Sequence, residues 1–583
     1  MPKNVMKLLK PSPNLGKNGF DLSHRTLFDA NMGELLPCCC IETVPDDDVE
    51  IRVADLLRAQ PLVTSPFMRV KQHIDFWFVP YNSMWHKWNS FLTSRDEPSS
   101  TNLKFRDYVP HFNLKALKNA IAGNSSTLSV FGSNAQFQDN AWRLLDLLGY
   151  PTYDKVYGDP DTPPTVYDNV DVNAWRLLAY QYIWYHEYRQ KYYDTGSLGF
   201  NSPYPESIAG LFNVDYCICS SYANADILTQ AASFFTNQFV AGTGIESVLC
   251  QLRYRPWKKD LFTGLLPSTQ LGAVSTLNSA TGFGIKGSNS NVNGQAFDSV
   301  RQLSAGDVYG VKGTEYSQFQ VPQGTPMFSI LQLRSSQALQ IWRENALRAG
   351  NQIQDNYRAH FGVEPHSHMI EHPIALGSID APLNITDVMA TAATGMGTVN
   401  DSVGDIAGKG VSSMDGNKTL RFKTNDFGVI MGIFSLLPEA EYNSTGIDRE
   451  NQLLERFDYF CPEMENLGLE ALDGRTFTIG TNLVAGYTPR YIAYKTKMDK
   501  AHLKFHNNPL SGYDLGPFRQ WASAKYDIGI SSNGIPLSQL YVNPAVFDVN
   551  FLSASSLSAQ FLVDMYKNVT AVRPLSVTGM PSK

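Results

Sequence analysis

Four stretches of this sequence carry residue types that do chemistry. The first is "LLPCCCIETVPDDDVEI", with Cys38, Cys39 and Cys40 in a row and Asp46, Asp47 and Asp48 just beyond Pro45. Thiolates and carboxylates are ligands for zinc and calcium. On a strand, however, neighbouring side chains point to opposite faces. Cys38 and Cys40 then share a face about 6.5 Å apart, while Cys39 points away. Three such thiols do not converge on one tetrahedral ion, and a disulfide between chain neighbours strains the backbone. The spacing predicts small buried apolar residues in a strand, then an acidic turn. A calcium site there needs more oxygen ligands from elsewhere.

The second stretch, "EPHSHMIEH", is the better metal candidate. It gathers Glu364, His366, His368, Glu371 and His372. His366 and His368 on one strand face could both bind zinc or copper. Pro365 and Pro373 bracket the segment, which reads more simply as a polar surface loop. The third, "GFGIKG", places Gly282, Gly284 and Gly287 in a G-x-G-x-x-G spacing. It lies in a Gly/Ser/Asn run without a strand before it or a helix after it, so the nucleotide-binding reading fails. The fourth, "GDIAGKG", lacks the spacing and the final Ser/Thr of a phosphate loop. No G-x-S-x-G nucleophile turn occurs. The residues give no enzyme reading, and no cofactor or metal is expected.

The elements that hold these stretches are mainly strands. Val49, Ile51 and Val53 alternate with Glu50 and Arg52. In "VKQHIDFWFVP", Val70, Gln72, Ile74, Phe76 and Phe78 share one face, and Pro80 ends the run. "FGVIMGIFSLL" (Phe427 to Leu437) is far shorter than the ~20 residues that span a bilayer, and reads as a buried strand. Helices are interleaved. "QDNAWRLLDLLGYP" has Trp142, Leu145 and Leu148 on one face, with Gly149 as its stop. "AWRLLAYQYIWYHEYRQKYY" is aromatic all round, which marks a buried or subunit-bridging helix. "SSQALQIWRENALRAG" carries a stripe of Leu339, Trp342 and Ala346, and "NQIQDNYRAHFG" repeats it with Ile353, Tyr357 and Phe361.

Composition narrows the class. The 583 residues carry a net charge of -7, only 18% charged residues and 12% aromatics. An ordinary soluble protein has about 25% charged residues. Low charge with many aromatics points to a surface buried against other copies or partners. The acidic balance excludes a basic nucleic-acid coat. Seven cysteines without a C-x-x-C pair do not make a disulfide framework, and are expected to be reduced. "MPKNVMKLLKPSPNLGKNGF" lacks the apolar run of a signal peptide.

Basic residues do cluster locally. Residues 1–25 form an arm with Lys3, Lys7, Lys10, Lys17 and Arg25 against Asp21. "YKTKMDKAHLKFH" interleaves Lys495, Lys497, Lys500 and Lys504 with Tyr494, His502 and Phe505. Both can contact phosphates, and the second can also stack on bases. The competing readings are a disordered terminus and a solvated strand face. Two long surface insertions are expected, a Ser/Asn/Ala-rich one at 196–248 and one at 271–327 holding nine glycines.

Several strings together resemble the major capsid protein of the microviruses, small phages with circular single-stranded DNA, and most closely the gokushovirus type. They are "FDLSHRTLFDANMGELLPC", "VKQHIDFWFVPYNSMWHKWNSF", "VNAWRLLAYQYIWYHEYRQ", "LRYRPWKKDLFTGLLPSTQLG", "LRSSQALQIWRENALRAGNQIQDNYRAHFGV", "ERFDYFCPEMENLG" and "RPLSVTGMP". They stand in family order from residue 20 onward. The cysteine triplet falls on an ordinary family strand, the aspartates on its turn, and the histidine stretch in a variable segment. The excursion at 196–248 is longer than the family's usual one.

The resemblance implies a mainly β chain, 1–583 as a single capsid domain. Its centre is an eight-stranded antiparallel viral jelly roll, two four-stranded sheets face to face, with long insertions carrying helices and loops. It implies a homo-oligomeric icosahedral shell, assembled in the bacterial host cytoplasm and enclosing the single-stranded DNA genome. Implied partners are a small basic DNA-condensing protein, a minor or pilot capsid protein, a scaffolding protein and a host surface receptor, with no membrane span. The insertion at about 271–323, with Phe283, Tyr309, Tyr316 and Phe319 as aromatic anchors, is expected to form a three-fold protrusion for host attachment. The alternative class is a secreted β-sandwich that binds or hydrolyses carbohydrate, which predicts a signal peptide and a stable monomer.

Overall fold

The computed structural model describes residues 16–62, 69–85, 109–114, 134–151, 170–190, 249–270, 330–349, 372–389, 406–440, 442–443, 446–477, 483–502, 535–548 and 559–577, with isolated positions between. The chain divides into two compact units, Met1–Pro267 with Ser367–Lys583, and Ser268–His366. In the second unit a helix spans Ile330–Ala349. Leu339 and Trp342, expected on its apolar stripe, are 42% and 51% exposed.

The first unit is built on strands, antiparallel except for the short parallel pair Tyr442–Asn443 with Lys500–Ala501. In chain order they are β1 (Asn18–Asp21), β2 (His24–Ala30), β3 (Leu36–Thr43), β4 (Asp47–Ala59), β5 (Val70–Pro80), the short β6 (His111–Asn113) and β7 (Asp171–Asn173), β8 (Ile374–Pro382), β9 (Asn384–Met389), β10 (Ile406–Thr424), β11 (Gly428–Pro438), β12 (Tyr442–Asn443), β13 (Leu469–Asp473), β14 (Val484–Pro489), β15 (Lys500–Ala501) and β16 (Phe561–Arg573). One sheet has six strands in the order β1-β16-β4-β10-β9, with β2 also paired to β16. The other has four, β3-β11-β5-β8. The two face each other. Phe28 of β2 meets Phe434 of β11 edge to face at 5.4 Å, and Phe78 of β5 meets Phe422 of β10 at 5.0 Å.

The larger sheet exceeds the expected four strands for two reasons. The chain bends between β1 and β2, where the Ser23 N–H donates to Asp21 Oδ1 at 2.9 Å. Both pieces still lie along β16. In addition, β9 pairs with β10 at the far edge.

The period-two runs sit as their spacing predicts. Val49, Ile51, Val53 and Leu57 of β4, and Val70, Ile74, Phe76 and Phe78 of β5, are buried between the sheets. Each such side chain contributes roughly 1.5–3 kcal/mol. β11 is buried almost throughout, because β3 and β5 flank it.

The helices Asn134–Leu147 and Trp175–Ile183 come between β5 and β8. The first ends at Gly149, whose φ of 84° suits a residue without a Cβ. The second does not run on as one α-helix. It widens into a π turn over Trp184–Tyr188, a change often found at special sites. That turn brings the Tyr188 hydroxyl to Asp75 Oδ2 on β5 at 2.6 Å. Arg255 Nη1 donates to the same carboxylate oxygen at 2.8 Å. Just past the end of β5, Tyr81 clusters with Trp88 and Trp175, the Tyr81 and Trp175 rings stacked at 4.2 Å. The inserted helices are thereby clamped to the four-stranded sheet by aromatic packing and one buried charge network.

Candidate functional site

The cysteine strand packs against β11, with a departure from strict alternation. Gly432 pairs with Cys39 and Ile433 with Pro37, so Cys38 is the extra residue of a β-bulge. Cys38 and Cys39 are both buried, and Cys40 is partly so. Burial pushes the Cys38 thiol up to about 11 and Cys40 up to about 12, and it raises Cys39 as well. Thiols held so far above their ordinary range are poor nucleophiles and poor metal ligands.

The aspartates do not act together either. Asp46 has a φ of 69°, in the turn before β4, and pairs with Lys17 at 2.7 Å. Asp47 is buried, accepts the Val44 N–H at 3.1 Å and meets Arg573 at 3.1 Å. Asp48 takes Arg421 in a two-pronged bond at 3.0 and 2.6 Å. The three carboxylates thus meet different cations, and tie Lys17 ahead of β1, Arg421 of β10 and Arg573 of β16 to the start of β4. Among the described residues no group of three or more His, Cys, Asp or Glu is placed to hold a metal ion. "GDIAGKG" enters β10, paired with β9, and so offers no phosphate-cradling loop.

His372 lies two residues before β8, with its Nδ1 2.7 Å from the Pro373 carbonyl and 3.9 Å from Glu187. Glu364, His366, His368 and Glu371 lie outside the described residues, as does "GFGIKG". So do Lys3, Lys7, Lys10, Lys504, and the aromatic candidates Phe283, Tyr309, Tyr316 and Phe319. Both expected insertions, at 196–248 and 271–327, lie wholly there too.

Every basic candidate that is described has an acidic partner. Arg25 is forked onto Asp564, with Nε donating to Oδ1 at 2.6 Å. Lys495 reaches Glu465 at 3.5 Å, Lys497 bonds Glu450 and Lys500 bonds Asp448. These lysines hold down one particular segment, Ile447 to Leu467. The segment has its own internal order. Asp458 Oδ2 accepts the N–H groups of Leu454 and Glu455 at 2.9 Å each. Gln452 Nε2 donates to the Ile447 carbonyl at 2.7 Å. The Phe460 ring meets Tyr491 edge to face at 5.3 Å. Yet it turns apolar side chains outward: Leu454 is 85% exposed, Leu467 64%, and Ile447, Phe457, Tyr459 and Phe460 about half. This surface was not read from the sequence. The available signal was a run dense in aromatics but without a strand or helix period.

A chain of this kind has counterparts. A family model described as "Capsid protein (F protein)" matches residues 11–140 and 219–583. The chain belongs to that family. Two relatives span nearly its whole length. The capsid protein VP1 of Chlamydia phage 1 is 22% identical, with 98% of this chain and 96% of the relative covered. The capsid protein VP1 of Bdellovibrio phage phiMH2K is 22% identical at the same coverage. The capsid chain is therefore a virion structural protein of the microvirus type. No helix among the described residues is long and apolar enough to cross a membrane.

Proposed function

We propose that this chain is the major capsid protein of a small phage. In this reading its copies close into an icosahedral shell around a circular single-stranded DNA genome, in the cytoplasm of a bacterial host. The observation that carries it is family membership over most of the chain, joined to a β-sandwich whose strand orders fit a jelly roll. If β1 and β2 count as one bent strand, that strand, β16, β4 and β10 make one four-stranded sheet, and β3, β11, β5 and β8 the other. β9 is then an addition. Expressed alone or with its scaffolding partner, the chain should sediment as pentamers or closed shells. A monodisperse monomer under both conditions would refute the reading.

The genome's charge must be balanced from outside this chain. Each phosphate of DNA carries a counterion requirement, and the chain itself is at -7. The described lysine and arginine candidates already have acidic partners. A separate small basic DNA-condensing protein, with cations, fits this balance. Lys3, Lys7, Lys10 and Lys504 remain the candidates for local contact. Virions carrying those four as glutamate should package less DNA; normal packaging would remove the local patch. A minor or pilot capsid protein completes the particle, and the insertion at 271–323 is assigned to the host surface receptor. A capsid map with that insertion on the inner wall would overturn the assignment.

A further inference from the structure

We infer that the π turn Trp184–Tyr188, with Arg189 just beyond it, holds a binding site for a carboxylate. What carries this is a cation without an anion. Arg189 is only 8% exposed. Its guanidinium carbon lies over the Tyr185 ring, 4.2 Å from the centroid. Its Nε is enclosed and makes no hydrogen bond. Among the described residues, no carboxylate pairs with this guanidinium and no hydrogen bond satisfies its other two nitrogens. A buried charge in this state is costly, and an aromatic face offsets only part of that cost.

The surroundings offer donors rather than acceptors. The Trp184 indole N–H is buried and unsatisfied in the same turn. Glu187, the acid of that turn, lies 3.9 Å from His372. Arg255 supplies the contrast. It too stands over a tyrosine of the turn, Tyr188, at 5.7 Å, but it holds Asp75 at 2.8 Å. Arg189 has the aromatic plate and lacks the carboxylate.

Charge, shape and access select the ligand. One guanidinium balances one negative charge. A phosphate monoester brings about -1.5 to -2, and would leave an excess beside Glu187. The planar fork of arginine takes the two oxygens of a carboxylate side by side. A cation covered by nine-tenths admits a flat group on a thin stem. A phosphodiester flanked by two sugars is too bulky for it. A free small acid and an Asp or Glu side chain of an acidic peptide both present the required group.

The test uses the purified full chain at pH 7 and saturation-transfer NMR, which reads weak ligands on large proteins. Acetate stands for the free acid, N-acetyl-glutamate amide for the peptide side chain, and acetamide for the same shape without charge. The expected result is about five-fold more transfer to either carboxylate than to acetamide. Arg189→Met should lose that excess and melt no lower than wild type, because a buried charge without an anion has been removed. Tighter binding of acetate would assign a free acid, and tighter binding of the glutamate derivative an acidic peptide. No excess in wild type, or an excess that survives in Arg189→Met, would overturn the inference. Displacement of acetate by inorganic phosphate at a far lower concentration would overturn the choice of carboxylate. A large fall in the melting temperature of Arg189→Met would also overturn it, since an anion of the chain itself would then already answer the cation.

Discussion

Asp55 of β4 and Gln72 of β5 reach toward each other from opposite sheets. Gln72 Nε2 donates to Asp55 Oδ1 at 3.2 Å, while Asp55 Oδ2 and Gln72 Oε1 are buried with no hydrogen-bond partner. A proton on Oδ2 gives Gln72 Oε1 a donor and closes an acid–amide ring. Asp55 stands opposite Met565 on one side and Met414 on the other, and burial among them raises its pKa to about 6. The buried Lys567 of β16 turns its ammonium to Thr26 Oγ1 at 2.6 Å. An aspartate in the unfolded chain titrates near 3.9. The native state therefore holds the proton more tightly, and stability falls as pH rises from about 4 to about 6. The cost of ionising Asp55 is roughly 3 kcal/mol for a shift of about two units. Asp55→Asn can make both bonds without a proton. It should melt higher than wild type at pH 7.5 and lose the slope between pH 4 and 6; identical melting curves would refute the neutral-acid account. The cysteine strand gives a second expectation. With burial holding the thiols of Cys38, Cys39 and Cys40 well up, native protein treated with iodoacetamide at pH 8 should leave these three unlabelled by peptide mass spectrometry. Fast labelling would show that the strand opens readily.

β3 and β11 depend on a glycine. A Cβ on Gly432 would stand 2.8 Å from the Phe76 ring and 3.2 Å from Cys39 Cβ. Gly432→Val should cost about 1–3 kcal/mol by overpacking, read as a lower urea midpoint with an unchanged slope. The helix Asn134–Leu147 depends on a charge pair. Arg143 forks onto Glu34 at 2.7 and 3.0 Å, and Glu34 is only 2% exposed. Arg143→Ala strands that carboxylate and should cost about 3–5 kcal/mol; a loss below about 1 kcal/mol would mean that Glu34 finds water or a proton. The sequence made some of this legible. The alternation in β4 and β5, the apolar run of β11 and the stop at Gly149 follow from local periods, which one chain segment carries alone. The bulge at Cys38 was hidden because it is a property of the pair with β11. The partners of Lys495, Lys497 and Lys500 were hidden for the same reason, since each acid lies some tens of residues upstream. The π turn at Trp184 keeps the composition of an ordinary helix, so nothing in its residues announced it. The outward-facing aromatics of Ile447–Leu467 look in sequence like any core segment, because burial is decided by the whole fold.

At the scale of the molecule, the six-stranded sheet is closed by its most distant parts. β16 lies between β1 and β2 on one side and β4 on the other, and the Arg25–Asp564 pair joins residues 539 positions apart. Removing residues 561–583 leaves β1, β2 and one edge of β4 without a ladder. Exposed edges of this kind pair with other chains, so the truncated chain should partition into the pellet on lysis; a soluble, cooperatively melting truncation would contradict the sheet order. The same arrangement sets a clock on synthesis. At about 5–20 residues per second, the ribosome delivers β16 roughly half a minute to two minutes after β2. Throughout that interval the first strands have no native neighbour. A nascent chain therefore cannot complete its sandwich, and so cannot join a growing particle, until its last strand has left the exit tunnel. A fragment released before β16 is made lacks the partner of β1 and β2 altogether.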